Sequence, residues 1–262
     1  MKKRNRFSAA IVLLVLALLT GSVCLAGTVY AAQEKTDTTA EKAADTGWKK
    51  VSGKSYYYVN GKKVTGVKKI DGKTYVFASS GALVKNKKVY KAGKKYYRID
   101  KKGIAERFTG VEAMAAKVLL SKKINLKLKK AFKWAAMDFM TTAPASSKKE
   151  AKIAKYYGRI AFQRKRGDCY VQAYAFYWMA KTLGYDVKAV RGYVKKSTGL
   201  ATHAWCEIKD SKGRIYVYDP NFNKEFGPKL GKKYAGYKIQ YGDKQTLAYY
   251  DAKKRVKVNK NK

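Results

Sequence analysis

The sequence predicts an α+β protein, with a small module of β-hairpins ahead of a mixed helix and sheet domain. Three observations predict it. An aromatic and glycine pattern recurs between residues 47 and 107, apolar residues then follow helical spacing to about residue 183, and short strand-like runs come after. Helices first and strands after marks an α+β domain, because an α/β domain would alternate them.

The chain of 262 residues is long enough for one enzyme-sized domain and a smaller module. Its first residues set the expected compartment. Lys2, Lys3, Arg4 and Arg6 form a positive start, and an apolar run extends from Ala9 to about Ala26. Small residues lead to Val29-Tyr30-Ala31, a cleavage site for a secretory signal over 1–31. No charge falls between Ser8 and Gln33, so an uncleaved leader would serve as a membrane anchor. Gly21-Ser22-Val23 before Cys24 is a poor lipidation box. The expected location is therefore outside the cell, or at the membrane if the leader is retained. Residues 32–46, rich in Thr, Ala, Glu and Lys, read as a linker.

From 47 to 107 three units repeat. Gly53, Gly72 and Gly93 align, followed at one offset by Tyr56-Tyr57-Tyr58, Tyr75-Val76-Phe77 and Tyr96-Tyr97. A single hairpin cannot bury its own apolar face, so a short aromatic-glycine period implies stacked hairpins. The segment resembles the cell-wall-binding repeats of Gram-positive surface proteins, including choline-binding and glucan-binding modules. The matching residues are Gly47-Trp48, the SGK, DGK and AGK turns with the aromatics after them, and Gly61, Gly81 and Gly103. The resemblance implies wall binding, with Trp48, Tyr57, Tyr75 and Tyr97 as candidate contact residues. Choline cages in that family are lined by tryptophan, the best face for a quaternary ammonium, whereas Trp48 is the lone tryptophan of this segment. Its tyrosines can instead stack on sugar rings, or simply pack repeat against repeat.

Beyond 107 the spacing predicts helices over Val111–Leu120, Leu126–Met140 (ended by Pro144), Ala151–Phe162 and Cys169–Leu183, the last stopped by Gly184. Asp186–Val194, His203–Ile208 and Arg214–Asp219 read as strands. This second domain, with its basic C-terminal tail, is assigned to 108–262.

With Cys24 in the leader, Cys169 and Cys206 are the cysteines left. They could pair once in an oxidising compartment, or leave a free functional thiol. Asp168 is a good N-cap and puts Cys169 in the first turn of its helix, where unpaired N–H groups favour a thiolate; a buried inert cysteine is the alternative. A cysteine nucleophile needs a base that titrates near neutrality, and the chain contains one histidine, His203. In Arg214–Asp219, alternation puts Ile215, Val217 and Asp219 on one face. A carboxylate ending an inward row before Pro220 is either a turn cap or a partner for the imidazole.

Gly167-Asp168-Cys169, His203-Ala204-Trp205 and Tyr216-Val217-Tyr218-Asp219-Pro220 together resemble the motifs of the transglutaminase-like, papain-related enzymes. Leu183-Gly184-Tyr185-Asp186-Val187 and Val190-Arg191-Gly192-Tyr193 look like that family's helix end and next strand, so the likeness spans about 110 to 225. It implies a papain-like core with Cys169 as nucleophile, His203 as base and Asp219 as orienter. Gln163, six residues before Cys169, is a candidate oxyanion donor beside the Cys169 N–H. The Lys-rich segment 224–262 has no counterpart in the family.

The expected activity is attack on an amide carbonyl through an acyl-enzyme, as a peptidase or amidohydrolase. A crosslinking transglutaminase and a catalytically inactive wall-binding protein are the alternatives. No cofactor or metal is called for. The net charge of +41 is carried mainly by lysine, a hydrated point charge suited to diffuse attraction to a polyanion. Base recognition leans on arginine forks, no recognition motif is present, and an export signal opposes a nucleic-acid role. The expected partners are an anionic or glycan wall polymer and a peptide or protein substrate, bound by a monomer.

Overall fold

The computed structural model describes residues 45–241 apart from 197 and 198. The leader, its Cys24 and most of the linker lie outside the described residues, as does the end of the tail. Three antiparallel units build the first module: β1 (Gly47–Val51), β2 (Lys54–Val59) and β3 (Lys62–Lys63); β4 (Gly66–Ile70) and β5 (Lys73–Phe77); and β6 (Lys87–Ala92), β7 (Lys95–Ile99) and β8 (Ala105–Arg107). Each unit corresponds to one repeat of the sequence. Gly53, Gly72 and Gly93 have φ of 76°, 75° and 57° at the hairpin turns, a region that costs a side chain but not glycine. The second and third units share a core of Val76, Tyr97, Ile99 and Ala105.

The second domain has four helices ahead of its sheet: α1 (Gly110–Leu119), α2 (Leu128–Ala135), α3 (Glu150–Arg164) and α4 (Cys169–Thr182). Then come β9 (Val187–Lys196), β10 (Gly199–Lys209), β11 (Ile215–Tyr218), α5 (Pro220–Phe226) and β12 (Tyr237–Ile239). The sheet order is β12-β11-β10-β9 and every pairing is antiparallel. Helix α4 is apolar nearly all round because it is the centre of the domain. It packs against α1, α2, α3 and the sheet, and Val171, Ala173–Phe176 and Met179–Ala180 are buried.

Both faces of the sheet are covered. Ala204, Cys206, Ile208, Tyr216 and Tyr218 join the core around α4, while Val190, Val194, Trp205, Val217, Phe222 and Ile239 form a second cluster on the opposite face. Several contacts tie the repeats to this domain, among them Arg98 to Glu112 at 3.8 Å and Lys88 over the Tyr185 ring. Val89 of β6 enters the main core, and Arg98 of β7 donates to the Lys181 and Thr182 carbonyls at 3.2 and 3.3 Å. A guanidinium at the C-terminal end of α4 suits the partial negative charge there.

The structure corrects four expectations. The second helix stops at Ala135, not Met140, because Gln172 takes the Met137 carbonyl at 2.9 Å and Asp138 bridges to Arg166. The strand bearing His203 begins at Gly199, four residues early, as half of a long hairpin with β9. Part of the supposed tail is folded: α5 and β12 pack against the sheet. In the row read as inward-facing, Val217 and Asp219 are buried but Ile215 is 40% exposed, since it sits at the open end of β11.

Candidate active site

Helix α4 begins where Asp168 caps it. The Asp168 carboxylate accepts the Val171 N–H at 3.1 Å and also the Tyr170 N–H, an arrangement worth about 1 kcal/mol. Thr142 also lies against this carboxylate, so the loop before α3 meets the first turn of α4. The Cys169 N–H is thus the donor of this first turn that Asp168 does not take. Gly167 must be glycine here, since a Cβ would stand 2.2 Å from Val171 Cβ. Gln172 adds a second brace, with Nε2 donating to the carbonyls of Met137 and Gly167 at 2.9 and 3.1 Å.

Cys169 is half-buried and free, and it lies near enough to His203 to strengthen the imidazole's hold on a proton. His203 is supplied by β10 opposite Gly192 of β9. Its Nε2 lies 2.6 Å from Asp219 Oδ2, leaving Nδ1 to serve the thiol. The structure therefore brings Cys169, His203 and Asp219 together, with the imidazole hydrogen-bonded to the carboxylate. Burial opposes charge on the imidazole, but the Asp219 carboxylate, its hydrogen bond and Cys169 outweigh it and push His203 up to about 10. The histidine is thus held as an imidazolium at neutral pH.

Asp219 is completely buried and does two jobs. Oδ2 holds the histidine, while Oδ1 accepts the Phe222 N–H at 2.9 Å and caps α5, with Pro220 in the first turn. The turn cap and the imidazole partner, alternatives when read from sequence, are both present. Its own N–H donates to the Gly236 carbonyl at 2.8 Å, so the segment before β12 fixes it from a third side.

Behind His203 lies a chain of contacts that sequence reasoning missed. Trp205 stacks on the imidazole with ring centroids 6.1 Å apart. Its Nε1 donates to Tyr241 Oη at 2.6 Å, and the Tyr241 hydroxyl donates to Glu207 at 2.8 Å. The His203-Ala204-Trp205-Cys206-Glu207 alternation hinted at this shared face, but nothing local pointed to Tyr241. Gln172 carried a signal, being an amide inside an otherwise apolar helix.

Cys206 is free and fully buried, its Sγ–H donating to the Ala173 carbonyl at 3.1 Å, and burial pushes its thiol well above the ordinary range. It is a packed core residue and not a disulfide partner of Cys169 in this structure. Gln163 sits exposed in the last turn of α3. Among the repeat aromatics, Trp48 meets Tyr57 at 5.2 Å and Tyr75 at 5.0 Å between ring centroids, so these three come together. Tyr97 does not join them: it is 3% exposed in the repeat core, where a ring has no face to offer a ligand. Among the described residues no group of His, Cys, Asp or Glu could hold a metal ion, and no helix is long and apolar enough to cross a membrane.

A helix carrying a cysteine at its mouth, packed on an antiparallel sheet that carries histidine and aspartate, defines a domain of the transglutaminase-like kind. Residues 102–220 match the transglutaminase-like superfamily, a span that encloses all three residues, and residues 46–87 match the choline-binding repeat. The chain carries a transglutaminase-like core preceded by choline-binding-type repeats. Among solved structures, it is similar to the choline binding domain of Spr1274 from Streptococcus pneumoniae (29% identity over 24% of this chain and 77% of that chain, TM-score 0.23). It is also similar to choline binding protein F of the same organism, solved with a peptidoglycan analogue (35% identity over 25% of this chain and 22% of that chain, TM-score 0.21). A candidate cysteine protease from Cytophaga hutchinsonii is 14% identical over 42% of this chain and 36% of that chain, with a TM-score of 0.29. The chain thus spans about a fifth of choline binding protein F and about a third of the protease candidate. No curated protein matches it.

Proposed function

We propose that this chain is an exported cysteine enzyme of the cell envelope that cleaves an amide bond through Cys169, His203 and Asp219. The observation that carries the reading is the meeting of the Cys169 thiol at the mouth of α4 with His203, which is hydrogen-bonded to the buried Asp219 carboxylate.

The chemistry follows from the row. The Cys169 thiolate attacks the carbonyl carbon, and the oxyanion that forms is met by the Cys169 N–H. Gln163 is the candidate for a second donor. His203, held as an imidazolium, gives its Nδ1 proton to the departing amine, and the acyl group stays on sulfur. Neutral His203 then takes a proton from water, whose oxygen attacks the thioester and releases the acid. Asp219 keeps the ring oriented and its positive charge compensated at each stage. An amine in place of water would give transfer instead of hydrolysis.

The repeats and the lysine-rich surface hold the enzyme at a wall polymer, and residues 1–31 direct its export. The test is activity on cell-wall peptides and on casein, with and without a primary amine, for wild type and Cys169→Ala. Hydrolysis lost in a folded Cys169→Ala variant supports the reading. Amine incorporation by wild type would move it to a crosslinking transglutaminase. Inactivity of wild type on every substrate would favour a wall-binding protein.

A further inference from the structure

The three repeats meet at one hollow of about 400 Å³. The first unit supplies Trp48 and Lys50, the second Tyr75, the segment after it Lys85, and the turn before β8 Lys102. Trp48 is 42% exposed, an unusual position for the largest apolar side chain in a module this small. One part of the indole is taken by Tyr57, Tyr75 and Phe77, with ring centroids 5.0 to 5.8 Å away. The remainder is a flat apolar surface open to solvent.

The charge around that surface has one sign. Lys85 donates to the Ser55 hydroxyl at 3.1 Å, a neutral partner that steers the ammonium without cancelling it. Lys50, Lys85 and Lys102 form no ion pair among the described residues; Lys49, the remaining lysine of the rim, pairs with Asp45. No carboxylate lines the hollow. An aromatic site for a quaternary ammonium depends on ring faces attracting a cation, at about 0.5–2 kcal/mol per ring. Three unpaired ammonium groups around the same rings oppose that attraction. They favour an anion, and the bare indole favours the apolar face of a ring.

We infer that the hollow binds an anionic glycan, with a sugar ring stacked on Trp48 and its carboxylate or phosphate met by Lys50, Lys85 and Lys102, and that it rejects choline. This deepens the wall-anchoring part of the proposed function and names its ligand class. The test reads binding alone, so its failure would leave the amide chemistry standing, and loss of the amide chemistry would leave it untouched.

Full-length protein is titrated with a galacturonate oligomer, with the methyl ester of that oligomer, with a sugar phosphate polymer and with choline. Trp48→Ala and the triple variant Lys50→Gln, Lys85→Gln, Lys102→Gln are run beside wild type. Either acidic glycan is expected to bind, the methyl ester to bind more weakly, and each variant to lose about tenfold in affinity. The tighter of the two acidic polymers identifies the anion. Trp48→Ala leaves the net charge unchanged, so its loss cannot be general attraction to a basic surface. The lysine variant leaves the ring packing intact, so it reports even if Trp48→Ala loosens the first hairpin. Choline binding that Trp48→Ala abolishes, or glycan affinities equal in all three proteins, would overturn the inference.

Discussion

Asp219 holds the ring of His203 at 2.6 Å with one carboxylate oxygen while its other oxygen caps α5. The orientation of His203 and the fold of the segment after β11 therefore depend on the same side chain. Substitutions here should separate the two roles. Asp219→Asn can still accept the Phe222 N–H but cannot compensate an imidazolium. A loss on the order of 10³–10⁴ in rate is expected with a modest change in stability. Asp219→Ala should lose the activity and also about 2–4 kcal/mol of stability, because it leaves His203 buried without its partner. Steady-state kinetics and denaturant unfolding on the two variants check this.

The two described cysteines should differ sharply in reactivity. Cys169 is half-buried at a helix mouth beside an imidazole, whereas Cys206 is fully buried with its Sγ–H turned to the Ala173 carbonyl. Under native conditions iodoacetamide should label Cys169 alone, and Cys206 should react only after unfolding. Peptide mapping by mass spectrometry reads both sites.

Stability should depend on pH through His203. Its folded value, about 10, lies above the ordinary 6.5, so the native state holds the proton more tightly than the unfolded chain. The stabilisation is fully present below 6.5 and is lost progressively as pH rises through about 10. Wild type should lose stability across that window relative to His203→Gln, which lacks the titration. Parallel denaturant melts from pH 6 to 10 measure the difference.

Gly236 should tolerate no side chain. A Cβ there would stand 2.1 Å from the Asp219 carbonyl oxygen, a backbone atom that cannot rotate away. Gly236→Ala is expected to destabilise by about 1–3 kcal/mol and to lower kcat by displacing Asp219. Unfolding and kinetics on the single variant test both parts.

Much of this architecture was legible in the sequence. The Asp168 cap and the following apolar helix put Cys169 at a helix mouth, and the alternation in β11 put Asp219 on a buried face. The three-unit hairpin module followed from the glycine and tyrosine period. Local sequence could not reveal that Tyr97 would be core and Trp48 surface, because that depends on how one unit stacks on the next. Helix α5 was missed because it is seven residues long, too short to show a period, and its cap is Asp219, which also holds His203. The premature end of α2 was equally hidden, since the competing partner for Met137 is Gln172, 35 residues away.

The rate at which iodoacetamide alkylates Cys169 at neutral pH, compared between wild type and folded His203→Gln, asks most directly whether these side chains act as a unit. A fall of about tenfold or more in the variant is expected, because the thiol then loses its only imidazolium partner. Equal rates in the two proteins would contradict the assignment of His203 as the partner of the nucleophile.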